Sequence, residues 1–294
     1  MGELSHMDIL TSFLIGGGLL IIGYGLVSLY LILRLPRNNP HKFLQKMASQ
    51  SPSQTQKLVV IGDSLTHGTL SANYVDPLSE QLNREHLQVH IINAGINGDH
   101  SFHVLHRVSD IIRCDPDFIT ILIGTNDVAS SITSKTKSIF FSRNKLPQPS
   151  TLTSFISNLQ SLVTRLKAQT KAKIAILSLP PIGEDLNQPI TQASIAFSRA
   201  IHDVAEHQNV EYLPLQEAML EYLDQYPAHP RFVYKQHHTV FMISLIRRLL
   251  GYSNQRLSET LGFRLHIDFY HLNDLGANMI VDLIEEFYLK HQAR

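Results

Sequence analysis

Short apolar runs alternate with amphipathic segments from residue 57 to the end of the chain. Runs without a polar side predict strands that are covered on both faces. Apolar residues three and four positions apart predict the helices between them. The predicted strands are 57–62, 89–95, 117–124, 172–180 and 210–215, and the predicted helices include 76–86, 101–113, 151–169 and 192–208. This alternation is typical of a parallel sheet in a three-layer α/β/α sandwich.

The N-terminal part of the chain has a different pattern. Between Asp8 and Arg34 no residue is charged, and this stretch is long enough to cross the roughly 30 Å hydrocarbon layer. A cleaved signal peptide and a buried core helix are the alternatives, but no Lys or Arg precedes the stretch and no small-residue cleavage site follows it. We therefore expect a tail at 1–8, a transmembrane helix at 9–33 and a polar linker at 34–56.

The charges that flank the apolar stretch predict its orientation. Arg34, Arg37, Lys42 and Lys46 all follow the stretch. The positive-inside rule therefore predicts a single-pass membrane protein with its globular domain, 57–294, in the cytoplasm. The side of the membrane stays open, because a large domain can be translocated despite such charges.

Composition narrows the possible partners. The chain has 25 Lys plus Arg against 25 Asp plus Glu, so no basic excess favours nucleic acid as a partner. The single cysteine, Cys114, excludes an intramolecular disulfide framework.

Polar residues follow the predicted strands at the edge of the sheet where α/β proteins bind ligands. Ser64 follows the first strand; it is a nucleophile if a base removes its proton, and otherwise a helix N-cap. Gly95 and Asn126 follow the second and third strands. A backbone N–H and a side-chain amide at these positions could stabilise a developing oxyanion, although both residue types are also common in turns.

A histidine and an aspartate near the C-terminus are candidates for the base and its partner. His271 lies three residues after Asp268 and just before a predicted helix that Asn273 would cap. In such a turn the carboxylate can accept from one ring nitrogen and leave the other free to face a serine. The same D-x-x-H spacing also occurs in ordinary capping turns.

Four blocks, GDSLTHG, NAGINGD, GTND and DFYH, occur in this order along the chain. Together they resemble the SGNH (GDSL-type) hydrolases over nearly all of 57–294. The resemblance implies a flavodoxin-like sheet of five parallel strands. Two segments, 128–150 and 222–266, are longer than a minimal member needs, and we expect them to overhang the active-site edge.

The resemblance also implies a role for each candidate residue. Ser64 is then the nucleophile and, through its backbone N–H, the first oxyanion donor. Gly95 and Asn126 are the other two donors. His271 is the general base and then the general acid, and Asp268 orients it. Three further residues match motif positions that brace the loops: Asp63, Thr125 and Asp127.

The function that this resemblance implies is a serine carboxylic ester hydrolase without a cofactor. Next to a membrane, a lipid-like ester such as a lysophospholipid is the expected substrate, as for a lysophospholipase or lipase. The alternative within the family is an O-acyl (acetyl) esterase that acts on carbohydrate. A non-catalytic, membrane-held binding module is the alternative from another class, but it has no use for the complete set of catalytic residue types. The acyl chain length and the oligomeric state stay open.

Two further patterns have competing interpretations. Histidines at His100, His103 and His106, and the pair His237-His238, could bind a metal ion, but no H-E-x-x-H or similar pattern accompanies them, so no metal site is predicted. The apolar segment 240–250 could be a membrane-dipping lid, but a core helix is the favoured interpretation.

Overall fold

The computed structural model describes residues 16–18, 23, 25–27, 30, 33–48, 55–84, 89–132, 146 and 149–292. The chain divides into two compact units, Met1–Arg34 and Leu35–Arg294. All strands and helices named below belong to the second unit.

The predicted transmembrane helix at 9–33 is not supported, and this part of the fold prediction is wrong. No helix in the described ranges combines the length and the apolar composition that a bilayer crossing requires. Most residues of the range 9–33, and the predicted tail at 1–8, lie outside the described residues. The membrane contact expected through this helix is unsupported for the same reason.

A five-stranded parallel sheet forms the centre of the second unit. The strands are β1 (Gln56–Gly62), β2 (Val89–Gly95), β3 (Phe118–Leu122), β4 (Lys173–Leu177) and β5 (Glu211–Leu213). Their order is β2-β1-β3-β4-β5, and Val60 in β1 lies opposite Asn93 in β2 and Thr120 in β3. This flavodoxin-like order confirms the predicted sheet. It puts the crevice for a ligand at the carboxyl ends of β1 and β3, where the direction of winding reverses.

The helices are α1 (Pro40–Met47), α2 (Ser64–His67), α3 (Val75–Arg84), α4 (Ser101–His106), α5 (Val108–Arg113), α6 (Thr125–Ser131), α7 (Leu152–Gln169), α8 (Pro189–Gln208), α9 (Leu215–Gln225), α10 (His237–Leu249), α11 (Asn254–Leu261) and α12 (Asp274–Lys290). The predicted helix 101–113 is two short helices, because the backbone at Arg107 leaves the helical conformation. The Arg107 guanidinium instead binds Asp99 and the carbonyl oxygens of Ala94 and Gly62.

The core lies between the sheet and the helices that cover it. Four consecutive residues of β1, Leu58 to Ile61, are fully buried, as expected for a strand with helices on both faces. The helix α7 contributes one apolar face to this core, and the buried residues are those that its spacing predicts: Phe155, Leu159, Leu162, Val163 and Leu166.

A helix lies within the segment predicted as a linker. Asn39 caps α1 by accepting from Lys42 N–H. Asn38 then pairs with the outer edge of β2: its carbonyl oxygen accepts from Asn93 N–H at 3.0 Å, and its side chain donates to Ile91 O at 2.9 Å. The segment therefore covers an edge of the sheet that would otherwise be open.

The long segment 222–266 folds into the end of α9, a 3₁₀ turn at Tyr234–Gln236, α10 and α11. Four buried residues in and after this segment form a second apolar cluster: Val240, Leu261, Phe263 and Phe269. The opposite face of α10 exposes Met242 and Ile246. Helix α10 is therefore buried on one side only.

Candidate active site

The turn after β1 brings Ser64 to the carboxyl edge of the sheet. Gly62 permits this turn, because a Cβ at that position would collide with Thr66 Oγ1 and lie 2.6 Å from the carbonyl oxygen of Leu122. Asp63 then caps the short helix α2 by accepting from Leu65 N–H at 3.0 Å. Ser64 is the first residue of that helix.

A tight loop just before α12 holds Asp268 and His271 together. Asp268 Oδ1 accepts from the backbone N–H groups of Tyr270 and His271 at 2.7 and 2.8 Å. Ile267 N–H in turn donates to His271 O at 2.8 Å. The aspartate is thus fixed by the backbone of its own loop, as the D-x-x-H spacing allows.

The three predicted catalytic side chains form one hydrogen-bonded chain. His271 Nε2 lies 3.1 Å from Ser64 Oγ, and His271 Nδ1 lies 2.8 Å from Asp268 Oδ2. The carboxylate can only accept, so Nδ1 carries the proton and Nε2 is left to accept from the serine hydroxyl. Asp268 is 1% exposed, while Ser64 and His271 are 8% and 6% exposed.

The electrostatic environment keeps Asp268 ionised. Burial by itself raises the pKa of this carboxyl. The charge of His271 and the hydrogen bonds from His271 and from two backbone N–H groups outweigh burial, so that the pKa is lowered overall. An ionised carboxylate at this position stabilises an imidazolium on His271.

A side-chain hydroxyl and two backbone groups hold the serine side and the histidine side of the site together. Ser71, in the loop that follows α2, accepts from Leu272 N–H at 3.0 Å, and Ala72 N–H donates to Leu272 O at 2.9 Å. Leu272 directly follows His271, so these two bonds fix the imidazole relative to the loop after Ser64.

Asn126 lies at the same edge, at the start of α6, and is partly exposed. Its Nδ2 donates to Asp99 O at 3.0 Å and lies 3.4 Å from Asp63 Oδ2. The second contact is at the limit of a hydrogen bond, so one amide hydrogen remains for a stronger acceptor.

Gly95 is not brought into the site as a donor. Its N–H donates to Asn93 Oδ1 at 2.9 Å, and the residue is buried against the backbone of His67. The Gly95 N–H group, which was predicted to stabilise the oxyanion, therefore already donates a hydrogen bond within its own loop.

A residue that sequence reasoning missed, Gly98, offers an N–H instead. Gly98 is exposed, and its φ of 82° is a conformation that favours glycine. Its N–H donates to no acceptor within the described part of the chain, and the next residue, Asp99, supplies the carbonyl oxygen that binds Asn126. The dipeptide Asn97-Gly98 is a turn signal that could have identified this position.

Two further carboxylates of the sequence blocks, Asp63 and Asp127, contact the loops of the site. Asp127 accepts from Ser101 N–H, Ser101 Oγ and Ser150 Oγ. Burial raises the pKa of Asp63 to about 7, because the charged form loses its hydration. Asp63 and Asp127 therefore join elements rather than face a substrate, and Thr125 beside them is buried.

A second acid–histidine pair lies behind Asp268. Glu184 accepts from the backbone N–H groups of Arg264, Leu265 and His266 at 2.6, 2.7 and 2.9 Å, and from His266 Nδ1 at 2.7 Å. Both side chains are fully buried. The sequence contains no motif that points to this pair, which joins residues far apart in the chain.

The histidines that raised the question of a metal ion make other contacts. His103 Nδ1 accepts from His100 N–H at 3.0 Å and so helps to cap α4. His237 Nδ1 lies 2.9 Å from Tyr234 O. Among the described residues, no three His, Cys, Asp or Glu side chains converge in a way that could hold a metal ion.

A nucleophilic hydroxyl, a histidine oriented by a buried carboxylate, and nearby amide donors are the parts that acyl transfer requires. A sequence model of the GDSL-like Lipase/Acylhydrolase family matches residues 60–277. The chain belongs to this family, and it is a carboxylic ester hydrolase.

Individual relatives are acetylxylan esterases. An acetylxylan esterase of Geobacillus stearothermophilus is 27% identical over 189 residues, which are 59% of this chain and 82% of the relative. The crystal structure of the acetyl xylan esterase AlAXEase superposes with a TM-score of 0.56 at 20% identity and covers 78% of this chain and 98% of its own. The acetylxylan esterase Axe2 of G. stearothermophilus gives 0.55 at 21% identity, covering 78% and 92%. These two structures share the fold.

Proposed function

We propose that this chain is a serine esterase that removes acetyl or similarly small O-acyl groups from carbohydrate hydroxyls. The observation that carries the proposal is the hydrogen-bonded chain from Ser64 Oγ through His271 to Asp268. Its geometry suits a hydroxyl that loses its proton to a histidine whose other nitrogen is already bound to a carboxylate.

The first half of the reaction forms an acyl-enzyme. Ser64 Oγ attacks the ester carbonyl carbon, its proton passes to His271 Nε2, and the carbonyl electron pair moves onto the oxygen. The tetrahedral intermediate then expels the sugar oxygen, which takes the proton from His271 as it leaves. Asp268 stabilises the imidazolium between these two proton transfers.

Three donors face the developing oxyanion in this proposal. They are the backbone N–H groups of Ser64 and Gly98 and the side-chain amide of Asn126. Gly98 takes the role that the sequence assigned to Gly95, because the Gly95 N–H is already bound to Asn93. Fixed donors of this kind stabilise the transition state without having to reorganise.

The second half of the reaction releases the acid. A water molecule gives a proton to His271 Nε2 and adds to the acyl carbon. The second tetrahedral intermediate collapses, the bond from Ser64 Oγ to the acyl carbon breaks, and His271 returns the proton to Ser64. No redox step or external group is needed, so the residues described above suffice for turnover.

The relatives favour carbohydrate over lipid as the source of the ester. The expectation of a lipid-like ester depended on an anchor that places the enzyme at a bilayer, and that anchor is not supported. The relatives named above are acetylxylan esterases. The short-chain carbohydrate ester therefore replaces the lysophospholipid as the proposed substrate.

A substrate panel tests the proposal. The purified chain is given acetylated xylo-oligosaccharides, lysophospholipids and 4-nitrophenyl esters of increasing acyl length, with Ser64→Ala as the blank. We expect release of acetate from the oligosaccharides and a preference for the shortest nitrophenyl esters. Preferred cleavage of lysophospholipids and long-chain esters would contradict the carbohydrate assignment.

A fluorophosphonate probe tests the nucleophile separately. The chain should be labelled at one serine, and Ser64→Ala should not be labelled. Labelling of the Ser64→Ala variant to the same extent would contradict the assignment of the nucleophile, whatever the substrate.

A further inference from the structure

Helix α10 lies against the catalytic loop, and two polar contacts fix it there. Ser244 Oγ donates to Ile267 O at 2.6 Å, and Arg248 Nη1 donates to Leu70 O at 2.6 Å. Ile267 directly precedes Asp268, and Leu70 belongs to the loop that follows α2. The helix is therefore attached to both the histidine side and the serine side of the site.

The same face of α10 continues towards the catalytic histidine. His237, Phe241, Ser244 and Arg248 follow one another at three- and four-residue intervals, so they lie along one side of the helix. The ring centroid of Phe241 is 5.8 Å from that of His271, with the two planes 42° apart. The next residue, Met242, points away and is 47% exposed.

The chemistry of ester cleavage decides which half of the substrate lies near Phe241. His271 Nε2 must give its proton to the leaving oxygen, so the alcohol has to lie within hydrogen-bond distance of that nitrogen. The acyl oxygen points instead towards the amide donors at the ends of β2 and β3. Phe241, which flanks the His271 ring, is therefore expected to lie beside the alcohol half of the ester.

His237 adds a polar group to this surface. A carbonyl oxygen can only accept, so His237 Nδ1, 2.9 Å from Tyr234 O, carries the proton. Burial lowers the pKa of His237, which favours the neutral ring. Its Nε2 makes no hydrogen bond within the described part of the chain and is free to accept one.

We propose that Phe241 and His237 form the binding site for the alcohol half of the ester. The Phe241 ring packs on the C–H face of a sugar ring, and His237 Nε2 accepts a hydrogen bond from one of its hydroxyls. The identity of the alcohol as a carbohydrate rests on the function proposed above. The position of the alcohol site rests on the geometry of α10 and His271.

Kinetics with matched esters test the role of Phe241. The acyl group is kept as acetate while the alcohol is ethanol, cyclohexanol or a xylo-oligosaccharide. Phe241→Leu keeps an apolar side chain but removes the flat ring. We expect kcat/KM to fall about three- to tenfold for the cyclohexyl and sugar acetates, and by less than about twofold for ethyl acetate. Phe241→Tyr keeps the ring and should retain the wild-type kcat/KM for all three acetates. Met242→Leu, on the exposed face of α10, is the control.

His237→Asn tests the hydroxyl contact. Asparagine can still donate to Tyr234 O but lacks the Nε2 acceptor. We expect a fall of about three- to tenfold in kcat/KM for the sugar acetate and an unchanged value for cyclohexyl acetate, which has no free hydroxyl. Equal losses on both substrates would overturn the assignment of His237.

The results for Phe241 separate the possible errors. An equal fall in kcat/KM for ethyl, cyclohexyl and sugar acetates would overturn the alcohol site. A changed preference for acyl length among 4-nitrophenyl esters would overturn it as well, because Phe241 would then contact the acyl half. If the wild type cleaves no sugar acetate, the carbohydrate function fails. The ratio of cyclohexyl to ethyl acetate then still decides whether Phe241 binds the alcohol.

Discussion

Two acid–histidine pairs lie next to each other in this molecule, and they have different surroundings. In both, a histidine Nδ1 contacts a carboxylate, at 2.8 Å for Asp268–His271 and 2.7 Å for Glu184–His266. The Nε2 of His271 meets Ser64 Oγ, whereas the Nε2 of His266 is buried and has no partner within the described residues.

The comparison shows what distinguishes the proposed catalytic pair from a pair that joins loops. Besides His266 Nδ1, Glu184 accepts hydrogen bonds from three backbone N–H groups at the start of the loop that carries Asp268. His271 Nε2 instead lies within hydrogen-bond distance of the Ser64 hydroxyl. An imidazole held by a carboxylate is therefore not sufficient for catalysis, and the group at its second nitrogen decides its role.

The largest expected effect separates the two histidines directly. His271→Ala should lower kcat for 4-nitrophenyl acetate roughly a million-fold, because the serine loses its base. His266→Asn keeps a donor for Glu184 and should change kcat by less than about tenfold. Initial rates measure both, and near-ultraviolet circular dichroism verifies folding. Near-normal turnover by folded His271→Ala would contradict the assignment of the base.

A smaller loss is expected from the carboxylate of the proposed catalytic pair. Asp268→Asn should lower kcat by roughly four powers of ten, because an amide can stabilise the wrong tautomer of His271 and cannot balance an imidazolium. Fluorophosphonate labelling rates give a second readout of the same defect. Labelling at the wild-type rate would show that Asp268 does not activate the serine.

The carboxylate of the buried pair should affect stability more than activity. Glu184→Gln loses charge-assisted acceptance from the backbone of the catalytic loop, and we expect the free energy of unfolding to fall by about 1–3 kcal/mol. Urea unfolding measures this change. The kcat should stay within about fivefold of wild type; a loss as large as that of Asp268→Asn would remove the distinction between the pairs.

The smallest effect is a dependence of stability on pH. The pKa of Asp268 in the folded chain lies below its ordinary value near 3.8. The native state then binds fewer protons than the unfolded state, so this contribution is present above that value and is lost as pH falls through the lower folded pKa. The free energy of unfolding of wild type relative to Asp268→Asn should therefore decrease between pH 5 and pH 2. A constant difference would contradict the lowered pKa.

The sheet could be predicted from the sequence because each of its strands is a local pattern. The apolar run Leu58 to Ile61 indicates burial on both sides, and the strand ends then direct attention to Ser64 and Asn126. The D-x-x-H loop was predictable for the same reason, since Asp268 and His271 are close in the chain.

The predictions that failed, and the pair that was missed, depend on contacts that no local sequence pattern specifies. The rule that looks for ligand-binding residues at the carboxyl end of a strand selected Gly95, the last residue of β2, but the chain turns at 96–99 and exposes Gly98. The pairing of Glu184 with His266 joins residues 82 positions apart and has no local signal. The uncharged stretch at 9–33 is long and apolar enough in sequence to predict a membrane span. Among the described residues, however, no helix is long and apolar enough to cross a membrane.

The hydrogen bond between Ser64 and His271 joins positions 207 residues apart. During translation Ser64 is therefore made long before His271, and a ribosome-bound chain that ends anywhere before residue 271 carries the proposed nucleophile without its proposed base. In the proposed mechanism, esterase activity can begin only when the loop before α12 has emerged and contacts Ser64 and the loop that follows α2.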